Sequence, residues 1–238
     1  MRRYGKHTGE YMRLAFISDV HSNAPALNAF LEIIAREDVD GIYCAGDVVG
    51  YNPYPNEVIA LFREKGIVSI AGNHDTGVIR DDFSMMNHVA AIAGKWTATQ
   101  LSASSFAYLR TLKQAYEIQT EAGKVQIFHG SPQDPYKYIY PEMIGDQIFT
   151  GTDADILVLG HTHVQFSANV GGKLVFNPGS IGQPRDGNWR PGYAILEIDN
   201  GHARVRLHRF EYDVDAVVAR IRATGLPEVL AQRLLGGW

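Results

Sequence analysis

The sequence contains five short clusters of side chains that can bind metal ions. They are Asp19-x-His21, Gly46-Asp47, Gly72-Asn73-His74-Asp75, His129-Gly130 and Gly160-His161-x-His163. Carboxylate, imidazole and amide oxygen are ligands that suit Mn, Fe, Co, Ni or Zn, and the lack of thiolates argues against a purely soft site. The residue types therefore predict a site for divalent transition metals.

The local spacing within these clusters fits metal binding. In Asp19-x-His21 and in His161-x-His163 the two side chains are two positions apart, so on an extended segment they point the same way. A glycine precedes Asp47, Asn73 and His161, which removes a side chain where backbone and metal must approach closely. The pattern favours a compact arrangement of ligands.

Each cluster taken alone has an ordinary structural explanation. Asp-x-His occurs often by chance, Gly-Asp after a strand is usually a turn, and a lone His129 is more often a hydrogen-bonded core or rim residue. Five such clusters in this order would be very improbable as unrelated turns. We therefore interpret the set as a metal site, in which one member could act by positioning a ligand rather than by binding metal.

The clusters follow short apolar runs that are typical of buried strands. These runs are residues 14–18, 41–45, 67–71, 125–128 and 156–159. Ligands of open α/β sheets bind beyond the carboxyl ends of the strands. If the five strands lie side by side, all five clusters meet at one sheet edge.

Helices are predicted between the first strands, and hairpins in the second half. Ser22 or Asn23 caps a helix with Pro25 in its first turn, and Pro55 opens a helix that ends before Gly66. Residues 86–113 are predicted to be mostly helical.

The two hairpins flank Gly171-Gly172 and Asn200-Gly201, and two short helices follow near residues 214–222 and 227–235. We expect an α/β half and a β-hairpin half that share one core.

The composition narrows the possible function classes. The chain has 238 residues, 45% of them hydrophobic, which fits a single domain at residues 12–238 after a loosely ordered extension at residues 1–11. A net charge of −4 does not favour binding of duplex nucleic acid. We expect no membrane span and no secretory signal, hence a cytoplasmic protein. The lone Cys44 is expected to be a small buried hydrophobe.

The ordered set of clusters resembles the calcineurin-like metallophosphoesterase superfamily, over residues 14 to about 180. Asn177-Pro178-Gly179-Ser180 is similar to a segment of its small prokaryotic members, the phosphodiesterase and phosphatase branch. The resemblance implies a four-layer αββα sandwich, with two mixed β-sheets flanked by helices. It also implies two divalent transition-metal ions as cofactors, with Mn²⁺ the first choice and Fe, Zn, Ni or Co as alternatives.

The same resemblance implies a role for each ligand. Asp19, His21 and His163 would hold one metal, and Asn73, His129 and His161 the other. Asp47 would bridge the two. Protein Ser/Thr phosphatases of the superfamily follow this aspartate with Val-Asp-Arg-Gly, whereas this chain has Val48-Val49-Gly50-Tyr51. That departure weakens a phosphoprotein-phosphatase interpretation.

A hydroxide held between the two metals would attack the phosphorus directly. His74 is the catalytic candidate, because it could protonate or stabilise the leaving oxygen. Asn73 and His74 would also contact the substrate. Asp75 could orient His74, but we favour a role in the turn.

Two further residues are candidates for substrate binding. Arg185 could grip a phosphate, although a surface ion pair with Asp186 is an equal alternative. Tyr51 could line the substrate entrance, and packing is at least as good an explanation.

The sequence thus predicts a phosphoesterase acting on phosphodiesters or phosphomonoesters. The substrate would be a small phosphate ester, with a nucleotide-like ester as one option, and neither duplex nucleic acid nor a membrane would be a partner. One alternative is a dinucleoside-polyphosphate hydrolase. Another is a non-catalytic metal-binding scaffold, which the presence of His74 disfavours.

Overall fold

A computed structural model describes residues 11–238, which form two five-stranded mixed sheets with helices outside them. The strands in chain order are β1 (Met12–Ile17), β2 (Gly41–Cys44), β3 (Val68–Ser69), β4 (Ala115–Thr120), β5 (Gly123–Phe128), β6 (Ile156–Val158), β7 (Phe166–Val170), β8 (Lys173–Asn177), β9 (Gly192–Asp199) and β10 (His202–Arg209). The predicted extension at residues 1–11 lies outside the described residues, except for Tyr11.

The first sheet has the order β10-β9-β1-β2-β3 and the second has the order β4-β5-β6-β8-β7. Strands β1, β2 and β3 run parallel, as do β5, β6 and β8. The other pairs are antiparallel and include both predicted hairpins. Each sheet therefore has a parallel centre whose carboxyl ends can present side chains.

Seven α-helices lie among the described residues. They are α1 (Ala24–Ile34), α2 (Pro55–Lys65), α3 (Asn73–Arg80), α4 (His88–Gln100), α5 (Ala103–Leu109), α6 (Val214–Thr224) and α7 (Glu228–Gly236). Asn23 caps α1 by accepting a hydrogen bond from the Ala26 amide at 3.1 Å. Helix α2 begins at Pro55 and ends before Gly66, whose φ of 66° is left-handed. The helix signals of the sequence are confirmed at these positions.

The two sheets pack face to face through an apolar core. Phe16 of β1 and Phe176 of β8 meet edge to face with ring centroids 5.3 Å apart. Helix residues such as Phe30 and Phe62 cover the outer face of the first sheet. Two short 3-10 helices, Pro141–Met143 and Asp146–Phe149, accompany the apolar residues that cover the second sheet. The expected four-layer arrangement is confirmed.

One expectation about strand placement was wrong. The five strands that precede the clusters do not form one edge, because β1, β2 and β3 belong to the first sheet and β5 and β6 to the second. Strand periodicity reports which faces are buried, but it does not report which sheet a strand joins. The clusters meet instead where the ends of two packed sheets come together.

Individual strands and helices differ from their predicted bounds in smaller ways. The third strand has only two residues, since Ile70 beyond it forms an isolated bridge with Lys113. Strand β4 was not predicted, because this edge strand is only partly buried and its pattern is weak. Helix α3 begins at Asn73, where the sequence indicated a turn. Cys44 is fully buried, as expected.

Within residues 11–238, no helix combines the length and the hydrophobicity that a membrane span requires.

Candidate metal centre

The structure brings the seven predicted ligands together at the junction of the two sheets. Backbone hydrogen bonds align the loops after β1 and β2, with the Asp19 amide donating to Gly46 O at 3.0 Å and the His21 amide to Asp47 O at 2.9 Å. The His161 amide, after β6, donates to Asp19 Oδ2 at 3.0 Å. This last bond joins the cluster residues of one sheet to those of the other.

Three of the ligands form a first buried group. His21 Nε2 lies 3.0 Å from His163 Nε2, and Asp19 Oδ1 lies 3.2 Å from His163 Nε2. The three side chains are at most 2% exposed. They have the geometry of a group that could hold one metal ion.

The remaining ligands form a second group around His129. Its Nε2 atom lies 3.1 Å from Asn73 Oδ1, 3.2 Å from His161 Nδ1 and 3.3 Å from Asp47 Oδ2. Asp47 Oδ2 is also 3.6 Å from His21 Nε2 in the first group. Asp47 therefore lies between the two groups, in the position expected of a bridging carboxylate.

Each of the four histidines places one ring nitrogen against a backbone carbonyl. The contacts are His21 Nδ1 to Val49 O at 3.1 Å, His163 Nδ1 to Gln183 O at 2.5 Å, His129 Nδ1 to Ala45 O at 2.8 Å and His161 Nε2 to Tyr136 O at 3.1 Å. A carbonyl oxygen only accepts, so these nitrogens carry the protons. Such contacts orient metal-binding imidazoles.

The first group is suited to binding a cation, because its converging atoms lack a hydrogen-bond donor among the described residues. When the rings are neutral, His21 and His163 point two lone pairs at each other across 3.0 Å. Asp19 Oδ1, beside them, is buried and has no hydrogen-bond partner. Three electron-rich atoms that converge without a donor are costly in a buried site. A divalent ion would satisfy all three.

Electrostatics distinguish the two groups. Burial lowers the pKa of His21 and of His163, and it lowers the pKa of His161 to about 3. Burial also opposes charge on His129, but the carboxylates of Asp47 and Asp19 and the Ala45 carbonyl together outweigh it and raise the pKa of His129 to about 10. In the metal-free protein near pH 7, His129 of the second group therefore carries an added proton and a positive charge.

Backbone conformation also marks the site. Positive φ angles of 46–67° occur at five predicted ligands, which are Asp19, His21, Asp47, His161 and His163. Each costs about 1–3 kcal/mol in a residue with a side chain. At position 72 the site requires glycine for a steric reason, since a Cβ there would overlap Asp47 Oδ1. The backbone at these positions is strained, and this strain accompanies the convergence of the ligand side chains.

Asp75 has the turn role that we favoured. Its carboxylate accepts hydrogen bonds from the amides of Val48 at 3.2 Å, Val49 at 3.0 Å and Gly72 at 3.0 Å. Burial and the nearby Asp47 raise the pKa of Asp75 to about 7. The side chain joins the loop after β2 to the start of α3, so it positions Asp47 and Asn73 rather than His74.

His74 lies beside the two ligand groups, and its ring packs against those of His21 and Tyr51. Its amide donates to Asp47 Oδ1 at 2.8 Å, while its buried Nδ1 has no hydrogen-bond partner. The ring is 4.7 Å from that of His21 and 4.6 Å from that of Tyr51. Burial lowers the pKa of His74 to about 4. His74 also lies close enough to His21 and Asp47 to form a further group that could hold a metal.

Arg185 packs on Tyr51, which lines the entrance of a cavity beside the ligands. The Arg185 guanidinium is 5.4 Å from the centre of the Tyr51 ring and donates to Gln183 Oε1 at 3.1 Å. Asp186, the alternative partner, pairs with Arg209 instead. Tyr51 is 3% exposed and packs against His21, so it has the packing role as well as a place at the entrance.

The sequence interpretation missed a cavity of about 200 Å³ that opens beside Asn73, His74 and His161. Its remaining walls include Tyr136 and Tyr138, which follow His129 in the alternating segment Tyr136-Lys137-Tyr138-Ile139-Tyr140. The repeated tyrosines were a signal, but no predicted strand or helix placed them near the ligands. We call this space the tyrosine cavity.

Comparison with known proteins agrees with this geometry. The family model for the calcineurin-like phosphoesterase superfamily domain matches residues 12–201. An uncharacterised protein of Methanocaldococcus jannaschii is 34% identical over 242 residues, covering 94% of this chain and 98% of the relative. The phosphodiesterase YfcE of Escherichia coli is 25% identical over 79% of this chain and 89% of its own length.

A solved structure shows the same architecture. The crystal structure of a metallophosphoesterase from Sphaerobacter thermophilus is 38% identical, with a TM-score of 0.83, and covers 96% of this chain and 100% of that protein. The family match spans the clusters from Asp19 to His163. The chain therefore belongs to the calcineurin-like metallophosphoesterase superfamily and is a hydrolase that acts on phosphate esters.

Proposed function

We propose that this chain is a binuclear metal-dependent phosphoesterase that hydrolyses phosphodiesters or phosphomonoesters, with Mn²⁺ as the preferred metal. The observation that carries the proposal is the pair of buried ligand groups that share Asp47. In one group the imidazole lone pairs and Asp19 Oδ1 converge without a donor. A cation on each side of the shared carboxylate would be held by the ligands of both groups.

The ligands in this proposal are Asp19, His21 and His163 for one ion, and Asn73, His129 and His161 for the other. When bound, the two ions would lower the pKa of a water molecule to about 7 and neutralise charge on the phosphate. The chain holds these ligands rigidly, because each histidine is fixed by a carbonyl and each strand end by its neighbour. Such preorganisation is what electrostatic stabilisation of a transition state requires.

His74 has the role of assisting the leaving group. Its ring is neutral near pH 7 because burial lowers its pKa to about 4. A neutral imidazole still has one N–H, which can donate a hydrogen bond to the oxygen on which charge develops. The ring lines the open cavity beside the ligands, so a substrate can reach it.

Arg185 is proposed to bind a phosphate oxygen that does not react. Its guanidinium is stacked on Tyr51 rather than paired with Asp186. Its positive charge contributes to lowering the pKa of both His74 and His163, which supports a position within reach of a phosphate at the ligands. A fixed guanidinium can donate two parallel hydrogen bonds to a phosphate.

A substrate panel tests the proposal. The protein is stripped with a chelator and reloaded with Mn²⁺, Zn²⁺, Ni²⁺ or Co²⁺, and metal content is measured. Bis(p-nitrophenyl) phosphate, p-nitrophenyl phosphate and diadenosine tetraphosphate are then compared. We expect the stripped protein to lose hydrolysis of bis(p-nitrophenyl) phosphate and to regain it when about two ions per chain are restored. A preference for this diester would be consistent with the relative that is named a phosphodiesterase. Full activity with one ion, or in the stripped protein, would contradict the binuclear proposal.

A further inference from the structure

The tyrosine cavity adds a substrate feature that the metal centre does not specify. Its walls include Tyr136 and Tyr138 on one side of the ligands and Met85 and Met86 from the segment after α3. Met85 is 89% exposed, Tyr136 45% and Tyr138 43%. Exposed large hydrophobic side chains that gather around one opening mark a binding surface rather than chance exposure.

The cavity is continuous with the reacting centre. Asn73, His74 and His161 form its inner wall, and the Tyr138 ring lies 3.9 Å from that of His161. An ester whose phosphorus lies at the ligands can direct one of its organic groups into this space. The cavity measures about 200 Å³. This is below the roughly 300–1,000 Å³ of pockets for drug-sized ligands, so it suits one ring system rather than a peptide segment.

The polar groups of the cavity argue for a heterocyclic ring. Arg80 and Asn87 both line it and supply N–H donors. Asn87 uses its Oδ1 atom to cap α4, accepting from the Ala90 amide at 3.0 Å, so its Nδ2 group remains the donor. The exposed Asp82 carboxylate also lines the cavity and supplies acceptors. A hydrocarbon ring would form no hydrogen bonds with these groups, whereas a nucleobase presents ring nitrogens, carbonyl oxygens and amino groups at its edges.

We propose that the tyrosine cavity binds the nucleobase of the substrate, which makes the substrate class a nucleotide phosphate ester. The base stacks against Tyr136 and Tyr138, its edge faces Arg80 and Asn87, and its phosphate lies at the ligands. The adaptable Met85 and Met86 side chains cover it from the other side. This inference rests on the proposed function, because the metal centre must take the phosphate.

Two probes separate base recognition from phosphate recognition. AMP and ribose 5-phosphate share the sugar and the phosphate, and they differ in the base. Binding of each to the Mn²⁺-loaded protein is measured by calorimetry, and also as inhibition of bis(p-nitrophenyl) phosphate hydrolysis. We expect AMP to bind about tenfold more tightly or better, the lower part of the range for stacking of one base on aromatic side chains. Equal affinities would overturn the proposal, as would phenyl phosphate binding as tightly as AMP.

Variants locate the base. Tyr138→Ala and Tyr136→Ala should each reduce the preference for AMP severalfold, and the double variant should abolish it. Tyr140→Ala is the matched control, since Tyr140 stacks on Tyr138 at 6.2 Å but does not line the cavity. Tyr138→Phe should keep the preference. Affinity for ribose 5-phosphate and the Mn²⁺ content should stay unchanged throughout, which separates loss of stacking from damage at His161.

The two proposals can fail separately. A protein that binds AMP in preference to ribose 5-phosphate but hydrolyses no ester would support the cavity assignment and contradict the proposed function. Metal-dependent hydrolysis with no preference for AMP would support the proposed function and contradict the cavity assignment. An undiminished preference in the double tyrosine variant would place the base elsewhere and overturn the assignment.

Discussion

The metal centre and the tyrosine cavity are adjacent, yet they are built in opposite ways. The ligands of the centre are nearly all buried, several have left-handed backbone angles, and each histidine is fixed by a carbonyl. The walls of the cavity include the exposed side chains of Tyr136, Tyr138 and Met85. We infer that the centre is rigid because its chemistry needs fixed lone pairs, whereas the cavity can adapt because stacking tolerates small displacements.

The difference also predicts how substitutions behave. A change at the centre alters charge in a buried, coupled cluster, so its effect on turnover should be large and should extend to metal content. A change in the cavity removes contact area at an exposed surface, so its effect should be small and confined to affinity. The following experiments test this contrast, beginning with the largest expected effect.

Asp47→Asn should cause the greatest loss. Asparagine keeps the size and one acceptor for the His74 amide, but it removes the charge that both ligand groups share. We expect at least one ion to be lost and turnover to fall by about a thousandfold, corresponding to several kcal/mol of lost stabilisation. Metal analysis and kcat for bis(p-nitrophenyl) phosphate measure the two effects.

The control is Asp38→Asn at an exposed aspartate, which should change neither metal content nor turnover. If Asp47→Asn kept two ions and full turnover, the shared carboxylate would have no special role, and the contrast between the two regions would lose its basis.

His74→Asn should separate catalysis from metal binding. The backbone amide of residue 74 can still donate to Asp47, so the ligand geometry is retained. Loss of the imidazole N–H should lower kcat by about a hundredfold, the lower end for removal of a general acid–base group. Metal content should not change. His88→Asn, at an exposed histidine, is the control; unchanged turnover in His74→Asn would exclude the catalytic role.

Arg185→Ala should have a smaller effect that falls on substrate binding. Removing a charge-assisted contact to phosphate costs about 1.5–3 kcal/mol, which corresponds to about a tenfold rise in KM or more. Arg185→Lys should recover part of it, because lysine keeps the charge but not the paired donors. Arg190→Ala is the control, since Arg190 is exposed and pairs with Glu211. A KM equal to that of the unaltered protein would return Arg185 to a structural role.

The smallest signal is a proton that is released when metal binds. The pKa of His129 is raised to about 10 against an ordinary value of 6.5, so the ring is protonated at pH 7 in the metal-free protein. A metal must displace that proton. Calorimetry at pH 7 in buffers of different ionisation enthalpy should show about one proton released, and affinity for metal should rise with pH. No release would contradict the assignment of His129.

The raised pKa of His129 also makes the stability of the metal-free protein depend on pH. Because the pKa of His129 is higher in the folded chain, this group stabilises the metal-free protein fully below about pH 6.5. The contribution is lost as the pH rises through about 10. The preference of the cavity for AMP over ribose 5-phosphate involves no such group and should not follow this dependence.

Many ligands of the metal centre could be predicted from the sequence, because the patterns that mark them lie within a few consecutive residues. A strand, its end and a following polar cluster occupy consecutive residues, so Asp19, Asp47 and His161 were recognisable as strand-end side chains. The helix cap predicted at Ser22 or Asn23 is Asn23 in the structure. The start of α2 at Pro55 and both glycine-containing hairpins were also predicted correctly, since each depends on the conformational preferences of a few neighbouring residues. The oxygen and nitrogen ligand types were sufficient to indicate divalent metals.

Long-range packing supplied the rest. The residue order gives no information on which sheet β5 and β6 join, on which carbonyl each imidazole meets, or on the amides that Asp75 accepts from. Tyr136 and Tyr138 become cavity walls only because the segment after β5 passes close to His161. These features depend on contacts between residues far apart in the chain, whose energies are set by packing and not by local conformational preference.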